Sequence, residues 1–137
     1  MNPSKRGMFA LTCLLSISSA YAEWTKIGEN QYGRFYVDEA TLMSKGDVRS
    51  FQMLDDMNAP NKEGDRSIVA MYEVDCASRK SRSAKTTYFS LAMGKGTSLT
   101  LEPEMNAGSP ATPKVVWQDS AVGQPSEKII NWACKSK

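Results

Sequence analysis

The chain predicts an α+β fold, an antiparallel sheet followed by one C-terminal helix. Three observations carry this. Several segments alternate apolar and polar residues with period two. No helical segment lies between them to act as a crossover between parallel strands. Only the tail, from Pro125 onward, changes to helical spacing.

Taken in order, Trp24-Thr25-Lys26-Ile27 is a short first strand, ended by Gly28-Glu29-Asn30. Arg34 to Asp38 alternates, with Phe35 and Val37 on one face and Arg34, Tyr36 and Asp38 on the other. Ser44-Lys45-Gly46-Asp47 signals a turn before Val48 to Met57, where Arg49, Phe51 and Met53 oppose Val48, Ser50, Gln52 and Leu54. Asn58 to Asp65 is a polar connection. Ser67 to Cys76 is the clearest strand. Ile68, Ala70, Tyr72, Val74 and Cys76 share one face, and Val69, Met71, Glu73 and Asp75 share the other. A basic, serine-rich patch follows, after which Thr86 to Met93 sets Thr87, Phe89, Leu91 and Met93 on one face. Gly94-Lys95-Gly96 punctuates before a short strand over Thr97 to Leu101.

Residues 102–114 contain Pro103, Pro110 and Pro113, which exclude a central strand, so this stretch reads as a loop. Val115-Val116-Trp117 is either a last short strand or a packed bend. Pro125-Ser126-Glu127 then opens the helix with a serine cap and an early acid. Ile129, Ile130, Ala133 and Cys134 form its apolar stripe.

Residues 1–22 have the grammar of a secretory signal peptide: Lys5 and Arg6, an apolar run from Met8 to Ile17, and an Ala20-Tyr21-Ala22 cleavage signal. The expected mature chain is one domain over residues 23–137. Cys13 sits in the apolar run, but Ala10-Leu11-Thr12-Cys13 lacks the large aliphatic residue that a lipid-attachment box wants three positions earlier. No stretch reaches the ~20 apolar residues that span a bilayer as a helix. The expected location is therefore outside the cytoplasm: periplasmic first, with cell surface or secreted as the other choices.

Seventeen basic and fifteen acidic residues become fifteen of each once Lys5 and Arg6 leave with the leader. A neutral chain argues against nucleic-acid binding, which needs a basic excess to neutralise phosphates. The leader also removes Cys13, leaving Cys76 and Cys134 as an even pair in an oxidising compartment. They either form a disulfide or remain as two buried thiols. Cys76 falls on the apolar face of its strand, a place suited to an internal bridge rather than to surface chemistry.

There is no histidine, which removes Ser-His-Asp and Cys-His nucleophilic sites and the usual zinc and copper sites. No metal or cofactor is expected. Asp55-Asp56 and Glu73 with Asp75 are the candidate acid/base pairs. The last two sit about 7 Å apart by strand rise, a spacing compatible with glycoside hydrolysis, or are simply paired to cations across the sheet. Arg79, Lys80, Arg82 and Lys85 lie within one short stretch. They either bind an acidic protein patch or anionic polysaccharide, or form a solvated edge. Of Trp24, Tyr36, Tyr88 and Trp117, the two tyrosines lie opposite the apolar faces of their strands and are the preferred surface or dimer contacts.

The order of these elements resembles the surface-adhesin protein E family of Gram-negative bacteria. The resemblance runs through Trp24, Gly33-Arg34-Phe35-Tyr36-Val37-Asp38, Tyr72-Glu73-Val74-Asp75-Cys76 with arginines close behind, Thr86-Thr87-Tyr88-Phe89, Trp117 and a terminal Ile-x-x-x-Cys helix. It implies about six antiparallel strands with the helix tied back by the disulfide, in proteins that are often homodimers. It implies a non-enzymatic binding protein, an adhesin that recognises host or envelope macromolecules. The alternative is a periplasmic accessory or inhibitor of an envelope enzyme or assembly.

Overall fold

The computed structural model of the protein describes residues 22–101 and 116–135. The expected leader up to Tyr21, Cys13, and the expected loop over 102–114 lie outside them. Six strands follow one another in both sequence and space: β1 (Trp24–Glu29), β2 (Gly33–Lys45), β3 (Val48–Met57), β4 (Ser67–Asp75), β5 (Lys80–Leu91) and β6 (Lys95–Leu101). Each pairs antiparallel with the next, and a two-residue β7 (Gln118–Asp119) pairs with the start of β5. One helix, α1 (Pro125–Lys135), ends the described chain. This is the α+β meander that the alternation predicts, because connections this short leave adjacent strands no choice but to run antiparallel.

The registers decide which side chains share a face. Val37 stands opposite Met53, Phe51 opposite Tyr72, and Val74 opposite Arg49 and Ser81. On that side α1 lays down Ile129, Ile130 and Ala133, all buried with Val37, Phe51 and Val74, and Ile27, Leu42, Met53 and Trp132 pack around them. The Trp132 ring meets Phe51 edge-on at 4.9 Å between centroids, and Tyr72 flanks Phe51 at 5.9 Å. The sheet alone could not bury this stripe; the helix supplies the second layer.

Cys76, just past the end of β4, is bonded to Cys134 in the last turn of α1, 58 residues on. The expected disulfide is therefore present, and it fastens the helix to the sheet. Arg79 adds a second tie, donating from Nη2 to Asn131 Oδ1 at 2.6 Å.

The other face has a smaller core of its own. Leu54, Asp56 and Ser67 are fully buried there, beneath a 3₁₀ turn over Ala92–Gly94. Ser67 Oγ donates to Leu91 O and accepts from Gly94 N–H, while Asp56 Oδ1 accepts from Met93 N–H at 2.8 Å. Gly33 stands directly against this place: a Cβ there would lie 2.6 Å from the Asp56 carbonyl oxygen. Only glycine lets β2 and β3 close at that point.

Several boundaries differ from the sequence reading, each for a local reason. β2 continues past Asp38 to Lys45 through an irregular stretch in which the register jumps between Asp38 and Met43. Thr41 Oγ1 accepts the Gln52 N–H at 2.8 Å, and Asp38 Oδ1 accepts the Ala40 N–H, so side chains replace ladder bonds and the alternation is lost. β5 starts at Lys80 rather than Thr86, and it ends at Leu91 because Met93 adopts φ 59°, outside any strand. β6 begins at Lys95, and the final strand is Gln118–Asp119, with Val116 and Trp117 ahead of it. Ser126 lies inside the helix rather than capping it. Pro125 takes the first helical position, where its missing N–H costs nothing. Glu127 reaches back to accept the Gly123 N–H at 2.6 Å.

Candidate binding surface

The basic stretch that looked like one patch is split by the pleat. Arg79 occupies the β4–β5 turn at φ 58° and points to α1. Lys80 and Arg82, two residues apart on β5, project from the opposite side, away from the helix. Lys80 Nζ lies 3.8 Å from Asp119 Oδ1 of β7. Arg82 stands opposite Glu73 in the register and is ion-paired with it through Nε and Oε2. Its guanidinium also lies over the Trp117 ring, with Cζ 4.3 Å from the centroid. Lys85 is exposed where β5 bulges, two of its residues standing against Met71.

The pleat also separates the two tyrosines. Tyr36 faces away from the helix, opposite Leu54 and Lys26. Tyr88 faces the helix side, outside the cluster packed with the helix, between Ile68 and Leu99. Of the proposed binding residues, then, Tyr36, Lys80 and Arg82 share a face and Arg79 and Tyr88 do not join them. Trp24, opposite Asp38, and Gln52, opposite both Asp38 and Met71, lie on the same helix-free face. Trp24, Tyr36 and Trp117 are half-buried, so part of each side chain remains exposed.

The carboxylates divide by environment. Glu73 is taken by Arg82. Asp75 binds the hairpin turn, accepting from Ser78 Oγ at 2.8 Å and from the Ala77 N–H, and the Ser78 bond chiefly lowers its pKa. Asp56 is held by Arg34 Nη2 at 2.9 Å as well as by the Met93 N–H. Asp55 points the other way, between Phe35 and Ile68, and burial, with the neighbouring Asp56 charge, raises its pKa. The spacing that offered Glu73 and Asp75 as an acid/base pair thus serves a cross-strand ion pair and a turn. Among the described residues no group of three or more metal-ligating side chains comes together, and no helix is long and apolar enough to cross a membrane.

Comparison with known proteins adds the family. The profile of surface-adhesin protein E matches residues 24–135. The chain belongs to that family. Crystal structures of Haemophilus influenzae protein E share its fold. One, from non-typeable Haemophilus influenzae, aligns with a TM-score of 0.55 at 12% identity, over 86% of this chain and 79% of that one. Crystal form II aligns with a TM-score of 0.54 at 14% identity, over 74% of this chain and 80% of that one. No curated protein matches significantly. The family and fold named from the sequence are therefore those found, with a seventh short strand added.

Sequence reasoning missed the Arg82–Trp117 stack and the Arg34–Asp56–Met93 cluster. The first joins residues far apart in the chain, through a tryptophan that sits in no periodic segment. A signal for the second was available: Asp56 falls on the same side of β3 as Leu54, a buried position where an acid needs partners.

Proposed function

We propose that this protein is an exported, non-enzymatic binding protein of adhesin type, and that it recognises a host or envelope macromolecule through the helix-free face of its sheet. Membership of the surface-adhesin protein E family carries the reading. The face offers Trp24, Tyr36 and Trp117 as half-buried aromatic anchors and Arg82 and Lys80 as cations, the residue types that dominate binding hot spots. Arg79 and Lys85 border it at the turn and bulge of the same hairpin. An acidic protein surface or an anionic polysaccharide complements these groups. Residues 1–22 act as the export signal and 23–137 as the single domain, and a second copy of the chain is a further partner.

Arg82 has Glu73 beside it, so the local field is modest and screened within about 8 Å at physiological salt. Binding should consequently depend on the aromatic rings as much as on charge. The test is capture from host-matrix extract and from cell envelope by the purified domain, repeated with Trp24→Ala, Tyr36→Ala and an Arg79/Lys80/Arg82→Ser triple variant. Loss of capture in the aromatic variants, and a shallow salt dependence that the triple variant lessens further, support the reading. Retention in all three sinks it. Protease treatment of intact cells separates surface display, where the protein is cleaved, from the periplasmic accessory role, where it is protected.

A further inference from the structure

We infer that the outer edge of β6 receives an extended peptide segment of a partner protein as an added strand. The inference rests on the binding-protein reading above and names how such a partner would be held. Among the described residues, β6 lies at the end of the strand order and pairs with β5 alone. The Thr97 N–H turns toward β5, where it donates to Ser90 Oγ at 3.0 Å. By alternation the backbone groups of Leu99 and Leu101 face β5 too, and those of Ser98 and Thr100 point outward. Two N–H donors and two carbonyl acceptors, spaced as in a ladder, are therefore presented along an exposed edge.

The side chains are arranged for the same event. Leu99 and Leu101 are 63% and 51% exposed on the helix side of the sheet, with Leu99 opposite Tyr88. An incoming strand would cover them with apolar residues at alternate positions and meet Ser98 and Thr100 with polar ones. Gly96 to Leu101 contains no charge, proline or inward-pointing ion, the usual devices that blunt an edge. The other edge has them. β1 breaks register between Lys26 and Gly28, carries the Lys26–Glu29 ion pair, and has Lys128 of α1 lying over Gly28. β7 shields the start of β5.

Size selects a peptide over a second copy. Thr97 to Leu101 extends about 16 Å. With a side-chain depth of about 10 Å, the contact covers on the order of 160 Å² a side, against roughly 800 Å² a side for a stable protein pair. Backbone hydrogen bonds and two leucines suit a weak, short-segment contact.

The probe is a blocked octapeptide of alternating threonine and valine with one terminal glutamate, titrated into the labelled full domain while backbone amide exchange is followed residue by residue. Exchange at Ser98 and Thr100 should slow at least tenfold at saturation, with Leu99 and Leu101 changing less than twofold. Ser98→Pro removes an outward donor, and Thr100→Pro, separately, removes another together with the Thr87–Thr100 hydroxyl bond; each should raise the Kd at least tenfold with thermal unfolding retained. Leu99→Asp leaves the backbone intact and should weaken binding similarly. No binding at millimolar peptide, binding that leaves the Ser98 and Thr100 amides unprotected, or equal binding by all three variants overturns the inference. So does concentration-dependent protection of those amides in the free protein, which would mean that a second copy holds the edge. Capture from extract that persists with Ser98→Pro sinks this mode alone; absence of any capture sinks the broader reading and leaves the peptide titration to stand or fall by itself.

Discussion

Replacing both Cys76 and Cys134 by serine tests what holds α1 to the sheet. The bridge closes a loop across 58 residues, and in the chain-entropy model a loop of that length restricts the unfolded chain by about 4 kcal/mol. Against a total of 5–15 kcal/mol typical of such domains, roughly, this is a large share. Urea unfolding, followed by Trp132 fluorescence against its Phe51 contact, should show the midpoint fall by about 2–3 M, taking a slope of about 1.5 kcal/mol/M. The native fold should survive in mild conditions, because Ile129, Ile130 and Ala133 remain buried and Arg79 still holds Asn131. A loss below ~1 kcal/mol would refute the argument, since no lesser loop effect follows from that separation. A variant whose helix is undocked before any urea is added would refute it differently, by showing that the apolar stripe alone cannot seat α1.

Gly33→Ala drives a Cβ to 2.6 Å from a backbone oxygen, and thermal melting should report a loss of about 1–3 kcal/mol. Asp56→Ala strips the partner from both Arg34 and the half-buried Met93 N–H, and should cost about 2–4 kcal/mol by urea titration; Asp56→Asn should lose less. Asp55 has a raised pKa in the folded state, so the native protein binds its proton more tightly than the unfolded chain does. Its contribution therefore favours folding below the unfolded pKa and is lost as pH rises through the folded one. Asp55→Asn should raise the Tm at pH 7 and have little effect near pH 3. Arg82→Ala should shift the emission of Trp117, which loses the guanidinium over its ring.

Alternation was sufficient to place β3 and β4 and to assign their faces, because both strands bury residues on the helix side and follow an unbroken pleat. It failed where side chains substitute for ladder bonds. At Asp38 to Leu42, Thr41 Oγ1 and the Asp38 carboxylate do the work of backbone groups, so a strand persists with no periodic pattern to announce it. It failed again at Lys80 to Ser83, where cations alternate with serines. Ser81 is buried under Tyr72, whose hydroxyl lies 2.8 Å from its Oγ, and nothing in a serine-rich stretch marks that contact in advance. The disulfide was legible because the expected loss of the leader leaves Cys76 and Cys134 as an even pair.

A charge cluster in the sequence is, for the same reason, a poor guide to which side chains share a surface. Arg79, Lys80 and Arg82 are close in sequence, yet a turn with φ 58° followed by a pleat sends the first to the helix and the other two to the far face. Each then meets a side chain from another element: Asn131, Asp119 and Glu73. Proximity along a strand distributes charge between two environments rather than concentrating it. The described surface also carries apolar and backbone groups, the rings of Trp24 and Tyr36 on one face and the exposed strand β6 at the rim. Recognition by this domain should accordingly survive moderate salt better than a count of its lysines and arginines suggests. Affinity that collapses between 50 and 200 mM salt, by the roughly thousandfold expected when many ionic contacts dominate, would contradict that conclusion.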